Sequence, residues 1–160
     1  EKEPVHEPDR KQPLFYKLRG DGLLPLSLLG HYETACGGCD TIPSMDRIYE
    51  LVRERLAEGD SVLYEGLLIS AEVNRAVALH TDGFDLTVVR LNTPLELCVD
   101  SVNQRRWAKN PDKPGVNPKN TEAKFKQTLA TCKKLDAAGI PVVEADRDGA
   151  FHAIKQLLEA

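Results

Sequence analysis

Three kinds of residue in this 160-residue sequence could act on a phosphate or a hydroxyl: paired guanidinium groups, carboxylates placed at strand ends, and a close cysteine pair. Arg105 and Arg106 stand together at the far end of the segment Asp85–Arg106. A guanidinium fork binds phosphate oxygens in bidentate fashion, which lysine cannot do. The same arginines would also suit the negative end of a helix dipole as ordinary solvated side chains. Glu65 closes the apolar string Val-Leu-Tyr-Glu-Gly. A carboxylate there can hold a magnesium ion or its water shell, serve as a base, or simply face solvent. Gly66 beside it fits a close backbone approach. Asp40 follows Gly37, Gly38 and Cys39; it can take the proton from an attacking hydroxyl or cap a turn.

The string Cys36-Gly37-Gly38-Cys39 leaves three readings open. A redox dithiol needs a low-pKa thiolate, usually at a helix N-terminus, and here the helix starts only beyond Pro43. A zinc site needs four ligands; the pair supplies two and His31 lies near, with no evident fourth. The third reading is a tight glycine loop shaped around an acceptor, with the cysteines as small packing residues. Gly37 and Gly38 then line the acceptor, and His31 and Tyr32 stack on or hydrogen-bond a base, or pack beneath it. Cys98 and Cys132 fall on apolar helical faces and read as core residues.

The hydrophobic period shows which elements hold these groups. The opening residues carry Pro4, Pro8 and Pro13 and allow at most a short strand near Val5, and Leu23–Leu29 contains Pro25, which predicts a loop or a single helical turn. Ser44 caps a helix with Met45, Ile48, Val52 and Leu56 on one face, stopped by Gly59. A strand over 61–65 follows, then a helix from Ser70 to Leu79 and a strand over 86–91. Thr93-Pro94-Leu95-Glu96 is a capping box with proline at the first helical position, opening a helix over 94–106. Residues 107–120 hold three prolines, Trp107 and the lysines 109, 113 and 119, and predict a loop able to close as a basic lid or to stay solvated. Thr121 opens a long helix with Phe125, Leu129, Cys132 and Leu135 inward, closed by Gly139. A strand over 140–145 and a helix over 150–158 end the chain, with Asp146 and Arg147 between them.

Alternating strands and helices imply an α/β fold, a parallel sheet flanked by helices in three layers, with ligands at the carboxyl ends of the strands. Glu65, Asn92, Asp146 and Arg147 all fall on that edge. The length suits a single domain over 1–160. A net charge of -4 argues against electrostatic coating of nucleic acid, so any such contact would be local. No apolar run reaches the length of a membrane span, and no signal peptide opens the chain. Four cysteines without a disulfide pattern point to a reducing cytoplasm.

Val-Leu-Tyr-Glu-Gly, then Val-Val-Arg-Leu-Asn-Thr-Pro-Leu-Glu with its arginine pair, the Pro/Lys stretch, a long helix and Ile-Pro-Val-Val-Glu-Ala-Asp resemble the later two-thirds of small P-loop kinases. That group comprises nucleoside, nucleotide and polynucleotide kinases. The stretch from Leu29 to Ile48 is similar to phage-type members, some of which phosphorylate hydroxymethyluracil in DNA. The resemblance covers roughly residues 30–158. It implies ATP and Mg2+ as cofactors and a nucleotide or DNA substrate. Arg105 and Arg106 then act as lid arginines on the transferring phosphoryl group, and Asp146 and Arg147 belong to the adenine-side loop. Glu65 serves the metal, Asp40 is the base, and a hydroxyl of a nucleoside, nucleotide or modified DNA base is the acceptor.

One departure stands out. The phosphate loop G-x-x-x-x-G-K-[ST] of that family does not occur in these residues. Either an N-terminal strand and loop are missing from the sequence, or the chain is an inactive nucleotide-binding or regulatory module. The first reading is favoured, because a sheet without its central strand leaves edges uncovered. A zinc- or thiol-dependent protein using Cys36 and Cys39 is the further alternative.

Overall fold

The computed structural model describes residues 1–34, 37–66 and 71–159. They form two compact units, Glu1–Glu72 with the chain end from Ile154, and Val73–Ala153.

In the first unit the proline-broken opening builds the short strand expected near Val5 and a second one beside it. β1 (Lys2–Val5), β2 (Phe15–Leu18), β3 (Leu26–Leu29) and β4 (Ser61–Leu63) lie side by side in that order. The β1–β2 and β2–β3 pairings are antiparallel, and β3–β4 is parallel. The expected all-parallel sheet is therefore mixed. Short loops can join antiparallel neighbours, whereas the parallel step needs a crossover, which α1 (Met45–Ala57) provides between β3 and β4. Leu26–Leu29 is a strand and not a helical turn. Pro25 precedes its first residue, where the missing N–H interrupts no ladder, and its carbonyl accepts the Ser61 N–H at 2.7 Å.

α1 follows its sequence closely. Ser44 Oγ accepts the Arg47 N–H at 3.1 Å, a cap worth about 1 kcal/mol. Ile48 and Val52 are buried, joined by Tyr49 and Leu51. Gly59 has φ +89, the left-handed conformation that ends helices. The alternation of β2 sends Phe15 toward α1, its ring 4.9 Å from the Arg55 guanidinium carbon, and Tyr16 toward Tyr32 on the other face.

The second unit holds α2 (Val73–Thr81), β5 (Val88–Leu91), α3 (Leu95–Lys109), α4 (Pro118–Ala137), β6 (Val142–Ala145) and most of α5 (Arg147–Leu158). β5 and β6 pair in parallel, from Val88 opposite Val142 to Leu91 opposite Ala145. Ala76, Leu135 and Ile140 form its core, with Val73, Val77, Leu86, Val88 and Val142 packed around them. Ser70, expected to cap α2, lies outside the described residues.

Three expectations change here. α3 begins where predicted, but Pro94 is its N-cap in extended conformation and no side chain caps it, so the Thr93 capping box does not form. The loop expected over 107–120 shrinks to 110–117, because Pro118 sits in the first turn of α4 under an Asn117 cap instead of breaking the chain. Cys98 and Cys132 are half-buried rather than core.

Candidate active site

Because β3 and β4 run parallel, their carboxyl ends share one edge of the sheet, and the chain leaves both toward the same place. After β3, Gly30 turns with φ +83 and His31 pairs with Gly38 as an antiparallel bridge, the Gly38 N–H donating to the His31 carbonyl at 3.0 Å. A side chain on Gly30 would run into the Gly38 backbone, so glycine is needed there for space as well as for φ. The next residues form a 3-10 turn, Cys39–Thr41, fixed at both ends. The Cys39 N–H donates to the Glu65 carbonyl at 2.7 Å. Thr41 donates to the Gly38 carbonyl from both N–H and Oγ, and the Arg10 guanidinium donates to the Thr41 carbonyl at 2.9 Å.

This packing interlocks two carboxylates with two glycines. The Glu65 carboxyl lies against Gly38, which has φ +66, and a Cβ on Gly38 would overlap it. The Asp40 Oδ1 lies against Gly66, 2.8 Å from where a Cβ would stand. Glu65 is an exposed residue, yet its carboxyl is held above the usual range, first by partial desolvation and then by the charge of Asp40. A hydrogen bond with the Tyr32 hydroxyl opposes that rise. Tyr32 is pushed the same way by burial of its hydroxyl and by the Glu65 charge, while the residue as a whole remains 37% exposed.

Beneath Tyr32 lies a polar network that sequence patterns did not reveal. The Tyr16 hydroxyl donates to the Glu33 carboxylate, and the Tyr32 N–H donates to its other oxygen at 3.1 Å. Lys2 Nζ stands 3.6 Å from Glu33 and 4.1 Å from the Tyr16 ring centroid. The Tyr16 hydroxyl, before Lys2, holds the Glu33 carboxyl below its ordinary range. His31 is buried, with Nδ1 3.6 Å from Glu33 and without a hydrogen-bond partner. Glu33 thus fixes the His31–Tyr32 segment. No spacing in the sequence marks Glu33 or Arg10; only the fold brings them to this edge.

Six expected residues therefore converge: His31, Tyr32, Gly37, Gly38, Asp40 and Glu65. Cys39 is buried and its thiol is pushed up to about 12, chiefly by burial, so as it stands it is protonated and a poor nucleophile. Cys36 lies outside the described residues, and among the described residues no three His, Cys, Asp or Glu side chains gather as a metal site.

The other four expected residues belong to the second unit. Arg105 donates its Nε to the Ser101 carbonyl one turn back at 3.3 Å, whereas the Arg106 Nε is enclosed without a partner. Asp146 accepts the Gly149 N–H at 2.8 Å and caps α5, and Arg147 is the first residue of that helix and exposed. The segment 146–149, read as a loop, is therefore a cap and a first helical turn.

No protein-family model matches the sequence, and no solved structure matches the chain. Over all 160 residues, however, it is 99% identical to a curated protein of Pseudomonas phage PaMx11 described as a 5-hmdU DNA kinase, of which it spans 85%. The chain belongs to the 5-hmdU DNA kinase family. It is accordingly a kinase, a phosphotransferase, and its likeness to phage-type kinases is borne out. Among the described residues no helix is long and apolar enough to cross a membrane.

Proposed function

We propose that this kinase transfers the γ-phosphoryl group of ATP to the hydroxymethyl oxygen of 5-hydroxymethyldeoxyuridine within DNA. The observation that carries this reading is the convergence of Asp40 and Glu65 beside the His31–Tyr32 segment at the carboxyl edge of β3 and β4. Hydroxyl phosphorylation needs a base at the acceptor oxygen and an electrostatic partner for the phosphoryl charge. Asp40 takes the hydroxyl proton. Tyr32 and the Gly37–Gly38 backbone receive the base, with His31 behind them; a base displaced from its stack needs little contact area. Arg105 and Arg106 offer guanidinium groups to the transferring phosphoryl oxygens. Arg147 is assigned to the adenine side, and Asp146 to the helix cap that orders it.

Glu65 supplies hard carboxylate oxygens of the kind Mg2+ takes, so it fits that ion or its water shell. When bound, Mg2+ would neutralise charge on the nucleotide phosphates. The P-loop-kinase form of the fold belongs to this proposal too, supported by the β4–Glu65–Gly66 exit and the β5–α3 unit. The phosphate-cradling backbone is assigned to none of these residues, since they lack the G-x-x-x-x-G-K-[ST] string. DNA and ATP as the proposed substrates support a cytoplasmic location.

The test uses γ-labelled ATP and two DNA oligonucleotides, one carrying 5-hydroxymethyldeoxyuridine and one thymidine at the same position. Label should enter the first alone, and Asp40→Asn should abolish it. Equal labelling of both, or of neither, overturns the acceptor assignment; full activity in Asp40→Asn removes Asp40 as base.

A further inference from the structure

The charge of this chain is strongly segregated. Residues 104–134 carry nine basic side chains against two acidic ones, a net of +7 in a chain whose net is -4, which leaves -11 for the other 129 residues. This basic segment is the end of α3, the 110–117 loop and most of α4. Its inward face on α4 is Phe125, Thr128, Leu129, Thr131 and Leu135, none of them exposed. On the outer side Lys119, Lys126 and Lys133 are all exposed and recur every seven residues, close to two helical turns. They form one row about 21 Å long with cations about 10.5 Å apart, at 1.5 Å of rise per residue. Lys126 pairs with Glu122 at 2.6 Å, an exposed contact of small worth, while Lys119 and Lys133 make no ion pair among the described residues.

The loop beside this row is held in place rather than free to fold back over it. Trp107 donates its indole N–H to the Lys113 carbonyl at 2.9 Å, and the Val116 N–H donates to Asn103 Oδ1 at 2.7 Å. Gly115 packs beside the same Asn103 side chain.

We propose that the outer face of α4, with Lys119, Lys126 and Lys133, is a docking track for the phosphate backbone of the DNA substrate. The occupant is chosen by charge complementarity: a linear row of cations on an otherwise acidic protein matches a linear polyanion, and 21 Å spans about six base steps at 3.4 Å each. A nucleoside triphosphate is too short to need three cations over that length. DNA as the occupant rests on the function proposed above. The track supplies the sequence-independent backbone contacts that hold a duplex.

The test is fluorescence anisotropy of a labelled duplex oligonucleotide, without ATP, across a salt series. Comparison is made between the native protein, the triple variant Lys119→Gln/Lys126→Gln/Lys133→Gln, and a control, Lys11→Gln/Lys17→Gln. The triple variant should bind at least tenfold more weakly at 0.1 M salt, and the slope of log affinity against log salt should shrink by about 2–3, near one per lysine. The control should match the native protein. Unchanged affinity and slope in the triple variant overturn the track while native DNA binding stands. A triple variant that binds DNA normally but has lost ATP affinity makes this face a nucleotide lid and also overturns it. If the native protein binds no DNA at all, the underlying functional reading fails first, and the two failures are thereby told apart.

Discussion

The Cys39 N–H donates to the carbonyl of Glu65 at 2.7 Å, and this bond ties the turn that bears Asp40 to the residue whose proton affinity Asp40 raises. Two chain segments 25 residues apart in sequence are thus locked at one sheet edge by backbone, and their carboxylates follow. The glycines make the lock possible, since each carboxylate occupies the volume where the opposite glycine would have carried a Cβ.

Gly38→Ala should accordingly fail twice. Its φ of +66 is strained for alanine, and the new methyl meets the Glu65 carboxyl. A loss on the order of 1–3 kcal/mol in urea unfolding is expected, with phosphoryl transfer reduced at least tenfold in the fraction that remains folded. Native turnover in a folded Gly38→Ala protein would show that the interlock does not position the reacting groups.

Glu65 gives a pH prediction whose sign is fixed by its neighbours. Its folded pKa is raised, so between the ordinary value and the folded one the folded state binds more protons than the unfolded chain. Stability therefore falls as pH rises through that interval, and the ionised Glu65 burdens the fold at neutral pH. Glu65→Gln should be more stable than the native protein at pH 7, with the difference vanishing toward acid, and it should lose activity. In Asp40→Asn, carbon-13 NMR should find Glu65 titrating at lower pH but still above the ordinary range, because desolvation is the larger cause and persists. No movement of the Glu65 titration would mean that the two carboxylates are not coupled.

Much of this was legible in the residues, and the misses have physical causes. The period of α1, its Ser44 cap and the glycine that ends it are local features, and all of them stand. Asp40, Glu65 and the glycine loop could be singled out because acids and glycines after apolar strands are chemically marked. β2 and β3 escaped notice because four-residue strands beside prolines leave too little pattern to count. Pro118 was misread as loop because proline breaks a helix interior but favours its first turn, and the choice depends on Asn117 capping there. Glu33 shows no local signal at all; its role arises from Tyr16, on a strand that the pattern did not show.

Glu33→Gln tests whether that polar network serves the acceptor. The carboxylate joins Tyr16, the Tyr32 amide and Lys2, and stands 3.6 Å from His31. Loosening it should disturb where the Tyr32 ring lies while leaving Asp40 and Glu65 in place. The expected result is a severalfold higher KM for the DNA acceptor with kcat and the KM for ATP nearly unchanged, and Tyr16→Phe should show the same split. A fall in kcat alone would move Glu33 from holding the acceptor to the chemistry itself.

Arg105 and Arg106 are adjacent but not equivalent, and their difference predicts unequal losses. Arg105 spends its Nε on the Ser101 carbonyl and so serves its own helix, while the Arg106 Nε is enclosed with no partner in place. A buried donor left unsatisfied is costly, and such groups are retained where something else completes them. Arg106→Ala should cut phosphoryl transfer at least tenfold with ATP binding little changed, as befits a guanidinium that acts on charge developing in the transition state. Arg105→Ala should lose less. Arg106→Lys separates charge from shape: a point charge cannot reproduce the bidentate fork, so rescue should be partial at best. Full rescue by lysine would reduce Arg106 to a diffuse electrostatic role, and unaltered turnover in Arg106→Ala would remove it from the reaction.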